Sequence, residues 1–117
     1  MQKMTDTERK VAEWIWANPG IGTMQLVNMC CANFEWKRST VFTLLKRMEE
    51  KGVLKKENSH FYMSVEREEY YEKMVADFMD TYCQSSFSKL VEMYLKQNGI
   101  SKQDAGYVMN LIRTYTK

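Results

Sequence analysis

Proline is nearly absent from this chain of 117 residues: Pro19 is the only one. So little proline leaves few forced helix breaks, which favours a mostly helical fold. Long apolar runs are missing as well. No stretch approaches the roughly 18 residues that a membrane-crossing helix requires, so no membrane insertion is expected. The first ten residues, MQKMTDTERK, are polar and charged, unlike a secretory leader, and a cytoplasmic location is expected. Histidine occurs once, as His60. The chain has no metal-ligand cluster, no glycine-rich phosphate loop and no nucleophile–base spacing. It therefore does not read as an enzyme, and no cofactor or metal is expected. The cysteines, Cys30, Cys31 and Cys83, are odd in number, which argues against a disulfide framework in a reducing compartment. Cys30 and Cys31 are adjacent, without the spacing of a zinc pair. They read as two half-buried helix residues, with a redox or metal role as the alternative.

What is present is a concentrated positive charge. The net charge is only +2, but residues 36–56 hold Lys37, Arg38, Lys46, Arg47, Lys51, Lys55 and Lys56 against Glu49 and Glu50. A basic stripe of this kind suits phosphate contact, although many charge runs are simply solvated faces.

Periodicity divides the chain. Thr5-Asp6-Thr7-Glu8 predicts a capping box, followed by an apolar stripe at Val11, Trp14 and Ile15, with Asn18-Pro19-Gly20 as the stop. This places a first helix over about 6–17. A second helix, with Thr23 as its expected cap, carries Leu26, Val27 and Cys30 and fades near Ala32-Asn33. A third begins at Lys37 or Arg38, buries Val41, Leu44, Leu45 and Met48, and ends at Gly52. Val53–Lys56 and His60–Val65 are rich in β-formers, and Glu57-Asn58-Ser59 between them has turn chemistry, so a hairpin is predicted. From Glu66 the helical period returns in three further stretches. The expected class is mainly α with a small β-hairpin: a winged helix-turn-helix domain over 1–65 and a helical dimerisation arm over 66–117.

If Val41, Leu44, Leu45 and Met48 face inward at about 100° per residue, Ser39, Thr43, Lys46 and Arg47 face outward, with Thr40 near the helix start. Short hydroxyls and cations are what a recognition helix needs to reach base edges and phosphates. Lys37 and Arg38 lie at its N-terminus, where free N–H groups favour anions. Lys55 and Lys56 of the hairpin would reach flanking phosphates. His60 reads as a surface residue beside the turn, with a phosphate contact as the alternative. Double-stranded DNA is the expected partner. In the arm, Phe78, Tyr82, Phe87, Leu90, Val91, Tyr94, Val108, Ile112 and Tyr115 line helical stripes that three short helices cannot easily enclose. A second copy is the simplest cover, and a two-fold dimer suits a palindromic operator. Two alternatives stay open: an arm folded back on the first domain, and a winged helix that binds proteins instead of DNA.

Three segments resemble the penicillinase-repressor family: TDTERKVAEWIW from Thr5, KRSTVFTLLKRMEEKGVLKK from Lys37, and HFYMSV from His60. The resemblance is strong to about residue 65 and looser beyond. It implies a homodimeric repressor on a palindromic operator, controlling β-lactam resistance or metal-homeostasis genes. It also implies DNA-contact roles for Thr40, Thr43 and Arg47. Some members carry a basic residue where this chain has Phe42. In β-lactam members a membrane sensor-protease cuts the arm between Asn and Phe; the matching position is Met93-Tyr94, which lacks the Asn. Copper-responsive members carry Cys-x-Cys pairs, and this chain has none, so copper sensing of that type is not expected.

Overall fold

Each predicted helix forms, and the side chains of Thr5, Ser86 and Ser101 each cap a helix start. In the computed structural model, which describes residues 2–117, the order is α1 (Asp6–Ala17), β1 (Ile21–Gly22), α2 (Thr23–Phe34), α3 (Arg38–Glu50), β2 (Leu54–Glu57), β3 (His60–Met63), α4 (Arg67–Tyr82), α5 (Phe87–Asn98) and α6 (Lys102–Tyr115). The class is a mainly α winged helix, as the pattern predicts.

The capping box opens α1. The Thr5 hydroxyl accepts from the Glu8 N–H at 3.2 Å, and the Glu8 carboxylate accepts from the Thr5 N–H at 2.8 Å. Glu8 is fully buried, and the Lys51 ammonium at the end of α3 donates to it. Its other oxygen, Oε2, has no hydrogen-bond partner among the described residues. Burial pushes this carboxyl up, but the Lys51 ammonium and the Thr5 N–H outweigh it and hold the pKa below the ordinary carboxylate value. A depressed folded pKa means stability that is present above the unfolded carboxylate range and is lost as pH falls through the folded value. Lys51→Ala strands a buried charge, so it should lower the unfolding free energy by about 3 kcal/mol in urea titrations at pH 7. The deficit should shrink toward pH 4, where Glu8 of the variant takes up a proton.

One expectation about the second helix needs correction. Thr23 does not cap α2: it is the first helical residue, and Gly22 is the N-cap, with no side chain to offer. The Thr23 hydroxyl and N–H instead both donate to the Ser59 carbonyl, at 2.8 and 2.9 Å, tying the start of α2 to the hairpin turn. The helix ends at Phe34, beside the expected Ala32-Asn33.

At the end of α3 the Gly52 N–H donates to the Glu49 carbonyl and the Val53 N–H to that of Met48, at 3.0 and 3.2 Å. This is a Schellman closure, with buried Val53 against buried Met48. Gly52 has φ +80°, and a Cβ there would meet nothing within 4 Å. Gly52→Ala should therefore cost about 1 kcal/mol from backbone conformation alone, readable as a lower urea midpoint with an unchanged slope.

The first hairpin strand is shifted by one residue from the prediction, so that Glu57 belongs to the strand and not to the turn, and the second stops at Met63, short of Val65. Val53 and Ser64 lie outside them but are joined by a Ser64 N–H to Val53 carbonyl bond of 2.8 Å. The register, Leu54 opposite Met63 through Glu57 opposite His60, leaves a two-residue loop, Asn58-Ser59, with φ of 51° and 63°. Positive φ at both central residues is the type I′ pattern that matches strand twist. A third strand, β1, was not expected; it pairs antiparallel with β3 through Ile21–Phe61 and Gly22–His60, giving the order β1-β3-β2.

The core gathers Val11, Ile15, Leu26, Val27, Val41, Leu45, Met48 and Phe61. The first turns of α4 also pack on it. Buried Tyr70 accepts from the Met4 N–H at 2.8 Å, and Glu13 takes the Arg67 guanidinium at 2.9 Å and the Tyr71 hydroxyl at 2.7 Å. The Arg67 and Tyr71 bonds hold the Glu13 carboxyl below its ordinary pKa. This first compact unit ends at Met74; Val75–Lys117 form the second.

Candidate nucleic-acid interface

One helix carries two faces of opposite character. On α3, Val41, Leu44, Leu45 and Met48 are buried, while Arg38, Ser39, Thr40, Phe42, Thr43, Lys46 and Arg47 are exposed. Helical geometry gathers Ser39, Thr43, Lys46 and Arg47 on one outward side, with Arg38 about 100° around from Ser39. The Thr43 hydroxyl donates to the Ser39 carbonyl at 2.9 Å, which leaves its acceptor lone pairs and its methyl group available. Lys37 is the N-cap and supplies no side-chain cap bond; the first turn holds no acidic residue. The opening N–H groups of α3 therefore lack side-chain acceptors from within the helix and add partial positive charge beside Lys37 and Arg38. Among the described residues, Lys37, Arg38, Lys46 and Arg47 form no ion pair, so their charged ends are free to meet phosphates.

The turn before α3 is braced by aromatics. Trp36 stacks on Phe34 at 4.5 Å between centroids, and Phe34 stacks on Trp14 at 5.3 Å. Glu35, between them, takes φ 55° and reverses the chain. Sequence reading did not anticipate this stack, because its members come from two helices and a turn.

The hairpin lysines do not behave as a pair. Strand alternation sends Lys55 and Lys56 to opposite faces of the ribbon. Lys55 lies 3.9 Å from Glu57 and over the Tyr62 ring; Lys56 lies over the Phe61 ring. Both are exposed. His60 is exposed too, with Nδ1 2.7 Å from the Asn58 carbonyl.

In the second unit, α5 and α6 each lack a buried residue. Phe87, Leu90, Val91, Tyr94, Val108 and Ile112 line an apolar groove of about 440 Å³. Phe87 is 55% exposed, Tyr94 59% and Ile112 43%. Phe78, Tyr82 and Tyr115 are also exposed, and Phe78 and Tyr82 touch at 4.9 Å between rings. Met93 and Tyr94 lie in the middle of α5 with their side chains exposed.

Cys30 and Cys83 are buried and Cys31 is partly exposed; all three are free thiols. Burial, with Cys31 beside it, pushes the Cys30 thiol up to about 11, so it stays protonated and unreactive at neutral pH. A maleimide reagent should label Cys31 first and leave Cys30 and Cys83 unmodified until the protein unfolds, as read by peptide mass spectrometry. Among the described residues no group of His, Cys, Asp and Glu could hold a metal ion. No helix among them is long and apolar enough to cross a membrane.

The profile described as penicillinase repressor matches residues 4–114. No curated protein matches the chain.

Proposed function

The chain belongs to the penicillinase repressor family, and from that premise we propose that it is a cytoplasmic homodimer that represses transcription by binding a palindromic operator. The observation that carries this reading is α3: hydroxyls and unpaired cations on one side, a fully buried apolar stripe on the other. Set in a major groove, Thr40, Thr43, Lys46 and Arg47 meet base edges and phosphates. The helix start with Lys37, Arg38 and Ser39 holds one strand's backbone. Lys55 and Lys56, on opposite faces of the hairpin, touch phosphates on either side of the wing. Two arms pair through the bare faces of α5 and α6, with Phe78, Tyr82 and Tyr115 extending the contact. The regulated genes are of the β-lactam resistance or metal-homeostasis kind. Cleavage by a membrane sensor-protease at Met93-Tyr94 would cut α5 in half and so undo the pairing.

The test is duplex binding against salt. Six candidate cations per protomer give a dimer enough phosphate contacts that affinity for a generic duplex should fall at least ~10³-fold between 50 and 200 mM salt. A protein-interaction module would show no such binding, and its absence would overturn the proposal.

A further inference from the structure

We propose that Phe42 reads thymine: its ring packs against a thymine C5-methyl group in the major groove and sets part of the operator sequence. The inference rests on the DNA-binding reading and goes beyond it, because it assigns a base to a residue that carries no charge and no hydrogen bond.

Phe42 lies outside the core. It is 44% exposed, while Val41, Leu44, Leu45 and Met48 carry the buried face of the same helix. The partly buried residues packed on the core include Phe34 and Trp36 but not Phe42. Around the helix it lies about 100° from Thr43, and it stands one turn before Lys46, so it sits among the groups assigned to the groove. A bare phenyl ring there cannot pair with the polar edges of guanine, cytosine or adenine. The apolar group that a major groove offers is the methyl of thymine, which aliphatic and aromatic side chains contact. Phosphate contacts by Lys37, Arg38 and Lys46 fix the helix close enough for that ring to lose water.

Burying one methyl group is worth roughly fourfold in affinity, and a palindrome presents it twice, so ~15-fold in all. Duplexes would be selected from a random pool by the wild-type protein. Each selected thymine would then be replaced in both half-sites by deoxyuridine, which removes only the methyl. At one position the wild type should bind the deoxyuridine duplex ~15-fold more weakly, whereas Phe42→Ala should bind both duplexes equally. Arg47→Ala should keep the same preference at lower overall affinity. Equal wild-type binding to every deoxyuridine duplex would overturn the assignment while leaving the repressor reading in place. A preference that survives in Phe42→Ala would overturn it too. Failure to retain any duplex from the pool would overturn the repressor reading itself, and the assignment with it.

Discussion

Changing Leu90 and Tyr94 together to glutamate is expected to turn the proposed dimer into a monomer and to weaken binding to the proposed operator by more than a hundredfold. Both side chains line the groove between α5 and α6, where no residue is buried within a single chain. Fully burying a side chain of this size contributes roughly 1.5–3 kcal/mol, so two protomers gain several times that by covering one another. Carboxylates at the same positions would have to enter the interface without partners, a penalty larger than the gain they replace. The effect on DNA follows from linkage. A dimer binds its second half-site as an intramolecular event, which is worth 10²–10⁴ in overall affinity. Sedimentation should show a species of half the mass, and the gel-shift midpoint should move by that factor. The helix content and the thermal transition of the first unit should stay as they were. A dimer that survives the double change would place the interface on other residues.

The second large effect is expected from Arg47→Ala: operator affinity falls by more than tenfold while the dimer stays intact. Arg47 is exposed on α3, has no ion-pair partner among the described residues, and lies one turn after Thr43. A guanidinium that meets a guanine edge or a phosphate contributes about 1–3 kcal/mol at each half-site, and the dimer loses it twice. Stability should be nearly unchanged, since truncating an exposed side chain opens no cavity. Isothermal titration with the selected duplex measures the loss, and sedimentation confirms the assembly. Unchanged affinity would remove Arg47 from the contact surface.

The parts of this molecule that could be read in advance are those written in neighbouring residues. Thr5 and Glu8 stand three apart and announce a helix start. Gly52 announces a helix end. The 3.6-residue period of Val41, Leu44, Leu45 and Met48 settles by itself which side of α3 is outward. The parts that escaped are made by residues far apart in the chain. Lys51 meets Glu8, and Tyr70 meets Met4, across distances where no local pattern exists. A strand of two residues, Ile21-Gly22, is too short for any period, and it follows a stop signal that reads as loop. Thr23 carried a sound capping signal, but the Ser59 carbonyl was available in space and took both of its donors. The hairpin was legible as a hairpin, and so was the divergence of its adjacent lysines; which ring each one faces, Tyr62 for Lys55 and Phe61 for Lys56, depends on register, which turn length sets and composition does not.

The bond between Thr23 and the hairpin tip has a practical meaning for anyone who would alter the wing. The acceptor is a backbone carbonyl, so the identity of the side chain at position 59 plays no part in the anchoring. The tip can therefore be rewritten with residues that tolerate a left-handed backbone, such as glycine or asparagine, without loosening the wing.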